Sequence, residues 1–451
     1  MKESPITLTN FDRLAKGIME RRQVNYAEAR KMLSDLQLGL IAGEDIRDSR
    51  AHQAALLTAI NTGKRAFRGG VAVSLPPDVP LLLPWRGEES LESVAEALGA
   101  NVTNEAPNSE HLISFANARG GVAGLRVACD GWRGGVISPG DETVFCPGPD
   151  FALGGILAGG IAVAQAFLTA SGINNRESVG PRGFSLWRPD QPWLLNETAG
   201  PPIEMLPAKL WLLGLGHLGQ AYAWTIGLLG CPTSQVVSLY LQDYDVSDPA
   251  NWSAGLLCED ATIGEMKTRI ASQWLEQRGF NTRIIERPFD ENTRCGAGEP
   301  RVALCGFDNA ESRRSLELAG YDLIVDAALG GDVNRFDRIV LRTFPDASEK
   351  ASEIYKSASR EKPLLAPELF DMEKESCGIL FEDLAGKAVS SSFAGATASA
   401  FAIAEVLKAL HGGTRCEFLN VHLRDLREAA IGLLDEQYQL RLAKNGFVNV
   451  R

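Results

Sequence analysis

The run Lys209-Leu-Trp-Leu-Leu-Gly214-Leu-Gly216-His-Leu-Gly219 constrains the fold more than any other part of the chain. An apolar strand ends where a tight turn needs glycine; the second glycine lets backbone approach a phosphate, and the third lets the following helix pack close to the strand. Amides at the start of that helix, from about residue 218, point towards an anion, and the helix dipole adds modest favourable energy. The next strand, residues 236–242, ends at Asp243, where an acidic side chain that binds ribose hydroxyls is expected. The pattern predicts a Rossmann-like α/β nucleotide unit; its competing reading is a glycine turn with no ligand.

The chain is 451 residues long and 45% hydrophobic, enough for two or three ordinary domains. A formal net charge of −12 argues against a general phosphate-backbone binder, because nonspecific nucleic-acid affinity rests on clustered Lys and Arg. Proteins or small molecules are the expected partners. The eight cysteines (129, 146, 231, 258, 295, 305, 377 and 416) form no C-x-x-C pair, so neither a zinc site nor a disulfide framework is signalled. Free thiols in a reducing compartment fit best. The polar start MKESPITLTN does not read as a signal peptide, and no run reaches the about 18 apolar residues of a membrane span, so a cytoplasmic location without membrane association is expected.

Residues 8–60 read as helical, with Leu14, Ile18, Ala27, Met32 and Leu36 at loose helical spacing. A strand at 71–75, a Pro-rich loop at 76–84 and a helix at 88–99 follow, and the Pro/Gly-dense stretch 173–208 is the best domain boundary. Residues 161–172 (IAVAQAFLTASG) align without a gap to 401–412 (FAIAEVLKALHG), and a strand-like piece follows each. Either Ala/Gly-rich buried helices are alike by composition, or one fold occurs twice in tandem. The second copy alone carries the glycine loop. In the first, the strand at 71–75 runs into PPDVPLLLPWRG, whose prolines offer no amide to a phosphate.

Beyond Asp243 the sequence departs from a dehydrogenase. Asp243-Tyr-Asp245, Asn251-Trp and Asp260-Ala-Thr-Ile-Gly264-Glu-Met-Lys267 resemble, without a gap, the D-x-D…N-L…D-x-G-x-x-K segment of the ThiF/MoeB superfamily, which comprises ubiquitin-like-protein-activating and sulfur-carrier-activating enzymes. Phe307-Asp308-Asn309 looks like its strand-end T-D-N motif, residues 321–326 like the following strand, and Cys377-Gly378 with the Ala-rich stretch behind it like the crossover cysteine and closing helix. The resemblance covers about 205–430.

The resemblance implies an α/β protein of tandem Rossmann-like adenylation folds: a degenerate N-terminal copy with a helical start (1–200), an active copy (205–430) and a short tail (431–451). Adding a carboxylate to the α-phosphate of ATP needs charge neutralisation and positioning. Gly214, Gly216 and Gly219 would cradle phosphate, Lys267 would meet it as a compact cation, Asn251 would lie beside it, and Asp243 would take the ribose, with Asp245 a secondary candidate. Asp308 is the Mg²⁺ candidate, since this ion prefers one or two carboxylates plus phosphate oxygens. The competing roles are a solvated helix lysine for Lys267, a turn residue for Asp245 and a helix cap for Asp308.

Cys377 is the implied nucleophile that captures the acyl group as a thioester, against the competing role of a small core hydrophobe; Cys231, Cys258 and Cys305 sit in poorer contexts. Three features depart from the family pattern. Ala254 stands where many members carry a phosphate-binding arginine, for which Arg13, Arg21 and Arg22 of the first half are the candidate substitutes. Zinc knuckles are absent, and the tail after about 414 is too short for a ubiquitin-fold recruitment domain. The pattern resembles the activating enzymes of bacterial ubiquitin-like conjugation systems, the Bil antiphage type above all. The implied partners are the tail of a ubiquitin-like protein and a conjugating enzyme, without nucleic acid. A sulfur-carrier adenylyltransferase, an NAD-dependent oxidoreductase and a nucleotide-binding scaffold without turnover remain as alternatives.

Overall fold

The computed structural model describes residues 12–118, 124–138, 140–173, 180–231, 235–330, 335–346, 349–356, 390–437 and 446–450. The chain starts with α1 (Arg13–Arg22), capped by the Asp12 carboxylate on the amides of Leu14 and Ala15, and α2 (Tyr26–Asp35), closed by an Asn25–Glu28 capping box. Residues 8–60 are not helical throughout. The strand β1 (Leu38–Ala42) interrupts them, buried along most of its length as the central strand of a parallel sheet. Its run Leu-Gly-Leu-Ile-Ala carries no alternation, which is the pattern of a strand covered on both faces and is easily absorbed into a helical spacing.

The first sheet continues through α3 (Arg50–Ala66), β2 (Val71–Ser74), α4 (Leu91–Ala97), β3 (Asn101–Thr103), β4 (Leu112–Phe115), β5 (Leu125–Cys129), β6 (Arg133–Ile137), α5 (Ala152–Ala170) and β7 (Arg182–Ser185). After β8 (Met205–Pro207), the second sheet uses β9 (Lys209–Leu213), α6 (His217–Leu229), β10 (Ser238–Gln242), α7 (Lys267–Glu276), β11 (Asn281–Ile285), β12 (Val302–Cys305), α8 (Ala310–Arg314), β13 (Leu323–Leu329), β14 (Arg338–Phe344), α9 (Ala351–Ile354), α10 (Ser392–His411), β15 (Thr414–His422) and β16 (Asp425–Gln437). A last strand, β17 (Phe447–Asn449), pairs with β8.

Strand order is β3-β2-β1-β4-β5-β6-β7 in the first sheet and β11-β10-β9-β12-β13-β14-β15-β16 in the second. In each, five parallel strands are followed by antiparallel ones. The strand that matches β9 by position is therefore β1, and β2 matches β10. The Pro-rich loop after β2 is not the counterpart of the glycine loop. It crosses to the other half, where Trp85 meets the rings of Trp224 and Trp274. β16 runs across residue 431, so the second sheet extends into the stretch that reads as a tail.

The aligned segments 161–172 and 401–412 fall at the ends of α5 and α10, which hold the same place in the two strand orders. These helices share one core with α3 and α6. Small residues let them close in: a Cβ on Gly160 would lie 2.5 Å from Thr397 Oγ1, and one on Gly155 would lie 1.9 Å from the Ala51 carbonyl. Contrary to the reading of the sequence, both helices are long and apolar enough to cross a membrane; here both are buried inside the protein.

Candidate active site

The C-terminal ends of β9, β10 and β12 lie side by side. The Gly214 amide donates to the Gln242 carbonyl at 2.9 Å, and the Gly306 amide donates to the Leu213 carbonyl at 2.8 Å. Gly214 turns the chain out of β9 at φ +79°, a conformation that favours glycine. Gly219 is needed for packing, because a Cβ there would sit 2.0 Å from the Gly214 carbonyl. Gly216 caps α6 without any side-chain hydrogen bond, and a Cβ on it would meet nothing within 4 Å. Its surroundings are the open approach that an anion at a helix N-terminus requires.

Asp243 leaves β10 half-buried. Its Oδ2 accepts the Leu215 amide at 2.5 Å and its Oδ1 the Asp245 amide at 2.8 Å. Burial raises its pKa from the ordinary value, while Lys267 and those two amides pull it down. Residues 245–247 run beside 264–267, with the Lys267 amide on the Asp245 carbonyl at 3.1 Å and the Ser247 amide on the Glu265 carbonyl at 2.7 Å. That pairing brings Lys267, first residue of α7, against Asp245, with Nζ 2.8 Å from Oδ2. Lys267 is thus not a solvated helix lysine: it is 9% exposed.

Asn251 is buried in the loop between β10 and α7, where its Oδ1 accepts the Asp248 amide at 3.0 Å and its carbonyl takes the Gly255 amide at 2.7 Å. Its side chain shapes the turn. The loop is fastened to the first turn of α6 by Gln220, whose Oε1 accepts the Leu257 amide at 3.1 Å. Asp308 is exposed just beyond β12, and the cap of α8 is its neighbour Asn309, whose Oδ1 accepts the Ser312 amide at 2.8 Å. The Asp308 carboxylate is therefore not the helix cap.

Other residues enter from distant parts of the sequence. Arg313 donates to the carbonyls of Phe307 and Ala327 at 2.6 and 3.0 Å, tying the end of β12 to β13, and its guanidinium lies 3.5 Å from the buried Asp326. Asp326 also accepts the Tyr355 hydroxyl at 2.5 Å. His217 Nδ1 is 2.9 Å from Ser390 Oγ, immediately before α10. Nothing local in the sequence marks Arg313, Gln220 or the His217–Ser390 contact.

Cys377 lies outside the described residues, as do the side chains of Arg13 and Arg21. Arg22 donates to the Ser171 carbonyl at the end of α5 and so is committed to the first half. Cys258 and Cys305 are buried with thiol pKa values pushed up by burial, as is that of the half-buried Cys231. Among the described residues, no group of three or more His, Cys, Asp and Glu could hold a metal ion.

Family models for the BilD N-terminal domain and the BilD C-terminal domain match residues 37–186 and 206–413. A bacterial E1-like protein BilD from Collimonas sp. (strain OK412) is 34% identical over 441 residues, covering 94% of both chains. Among solved structures, E. coli MccB is similar at 12% identity with a TM-score of 0.35, over 71% of this chain and 94% of that one. E. coli tRNA N6-threonylcarbamoyladenosine dehydratase, TcdA, is similar at 14% identity with a TM-score of 0.29, over 44% of this chain and 84% of that one. On the two domain models and the full-length relative together, the chain belongs to the BilD family of bacterial E1-like proteins.

Proposed function

We propose that the chain activates the C-terminal glycine of a ubiquitin-like protein with ATP, captures it as a thioester on Cys377 and hands it to a conjugating enzyme, in bacterial antiphage defence. The observation that carries the proposal is the meeting of four features at adjacent strand ends: the open N-terminus of α6 at Gly216, the Asp243 carboxylate, the buried Lys267 and the exposed Asp308. A dinucleotide site would use the first two and leave Lys267 without a purpose.

In the proposed first step, a glycine carboxylate oxygen attacks the α-phosphorus and pyrophosphate leaves. The α6 amides and Lys267 would hold the phosphates; Lys267 would be released to them from Asp245, which is half exposed and loses little. Asp243 would accept from the ribose with the lone pairs not used by Leu215 and Asp245. Asp308 fits Mg²⁺, an ion held by one or two carboxylates plus phosphate oxygens, which would neutralise charge on the leaving pyrophosphate. In the second step the Cys377 thiolate attacks the acyl carbon and AMP leaves.

The tandem arrangement, with an inactive copy in 1–200 and an active one from 205 whose last sheet strand runs on to Gln437, belongs to the same proposal. Its support is the shared strand order and the state of α3, the counterpart of α6. Asp150 sits on the amides of Arg50 and Ala51 at 2.7 and 2.9 Å, and Ser49 Oγ takes the His52 amide at 3.2 Å. The amides that an incoming phosphate would need already have a carboxylate.

The test is ATP–pyrophosphate exchange by the full chain with a ubiquitin-like protein ending in glycine, followed by a search for a thiol-sensitive adduct. Exchange in the wild type, lost in Lys267→Ala, and an adduct lost in Cys377→Ala are expected. An adduct that persists in Cys377→Ala removes that residue as the nucleophile, and binding of NAD in place of ATP overturns the adenylation reading.

A further inference from the structure

Arg65, near the C-terminal end of α3 in the first half, is wholly buried against a loop of the second. Its Nη1 donates to the Trp252 carbonyl at 2.5 Å and the Cys258 carbonyl at 3.1 Å; its Nη2 donates to the Leu256 carbonyl at 3.3 Å and to Glu259 Oε1 at 2.9 Å. Asn61, one turn earlier, accepts Nη2 at 3.2 Å and donates to the Leu256 carbonyl at 3.0 Å. The guanidinium of Arg68 lies 4.2 Å from the centre of the Trp252 ring. Three carbonyls of one irregular loop thus converge on one planar fork, a geometry that arginine supplies and lysine does not. The loop in question runs directly on from Asn251 and is fastened at its other side to the first turn of α6 through Gln220.

We infer that Arg65 is a positioning residue for the nucleotide site of the second half: through the carbonyls of 252, 256 and 258 it holds the Asn251 loop in place against α6. The inference rests on the adenylation reading for its consequence, since the loop matters to ATP only if ATP binds there. It gives the first half a task in the reaction even with its own helix terminus blocked by Asp150: residues 61–68 are the frame on which the neighbouring loop is built. Buried carbonyls without their donor would have to find other partners, and the loop would relax.

The test uses the full chain with Arg65→Lys, which keeps the charge and loses the fork. Trp85→Ala serves as comparator, because Trp85 joins the same two halves through Trp224 and Trp274 and not through this loop. ATP affinity is measured by calorimetric titration, and amide hydrogen exchange is followed over residues 251–259. Arg65→Lys is expected to weaken ATP about tenfold and to speed exchange at Gly255, whereas Trp85→Ala lowers the Tm with both readouts as in the wild type. Wild-type ATP affinity and wild-type exchange in Arg65→Lys would overturn the inference. So would equal effects of the two variants, which is what a merely structural role gives. If Arg65→Lys does not fold, Asn61→Ala reads the same clamp. If the wild type binds no ATP, the adenylation reading fails, and the exchange measurement still decides whether Arg65 holds the loop.

Discussion

The Leu215 amide donates to Asp243 Oδ2 at 2.5 Å, so the carboxylate at the end of β10 fastens the turn that follows β9. With Oδ1 engaged by the Asp245 amide, one side chain organises both the glycine loop and the start of the segment leading to Lys267. Sequence, local structure and the proposed ribose contact therefore meet in a single carboxylate.

Asp243→Ala removes both acceptors and should cost about 1–3 kcal/mol of stability, the range for amides left without partners. ATP affinity should fall more than about tenfold, since the loop loosens and a ribose contact is lost. Asp243→Asn, which keeps one acceptor oxygen, should lie between. Thermal unfolding and calorimetric titration of the three proteins check this; an Asp243→Ala protein that binds ATP as the wild type does would remove the residue from the site.

Lys267 separates stability from chemistry. Its ion pair is with a half-exposed Asp245, and pairs of that kind are worth about 0–1 kcal/mol. Lys267→Met should therefore leave the Tm nearly unchanged while pyrophosphate exchange falls by about a hundredfold or more, the scale on which charge stabilisation at a reacting phosphate is felt. Parallel Tm and exchange measurements decide, and retained exchange would assign Lys267 a purely structural role.

Most of the parts that could be read from sequence are close along the chain: the glycine loop, Asp243 and Lys267 lie on two consecutive crossovers, β9-α6-β10 and β10-α7-β11, where strand, turn and helix signals fix the relation between neighbours. What could not be read depends on which elements the topology brings together. Asp150 reaches Ala51 across 99 residues and Arg65 reaches Cys258 across 193, and no local pattern marks either pair. β1 was hidden for the opposite reason, since its five apolar or small residues continue the spacing of the helices before it. Asn251 fits the family segment by position, and its side chain holds the Asp248 turn.

Gly216 and Gly219 offer a contrast that depends on the ligand. Gly219→Ala places a Cβ 2.0 Å from the Gly214 carbonyl, so the turn must move and a loss of about 1–3 kcal/mol or more is expected, as for an overpacked core. Gly216→Ala meets nothing within 4 Å and should fold with a Tm close to that of the wild type. If that open space receives phosphate, the same methyl group should weaken ATP binding strongly in a well-folded protein. A Gly216→Ala variant with full ATP affinity would place the phosphates elsewhere.

His52, in the first turn of α3, contributes a pH dependence. Its Nδ1 is 3.1 Å from Ser49 Oγ, and burial lowers its pKa to about 4, with Asp150 and Asp45 acting in the opposite direction. Because the folded-state pKa lies below the unfolded value of about 6.5, the unfolded chain binds the proton first as pH falls. Stability from this residue is complete above about pH 6.5 and is lost progressively down to about pH 4. Replacing His52 with Asn removes the titrating group, so the difference between wild-type and His52→Asn stabilities in urea should shrink on going from pH 7 to pH 4.5. A difference that stays constant across that interval would show that the fold does not hold His52 neutral at the start of α3.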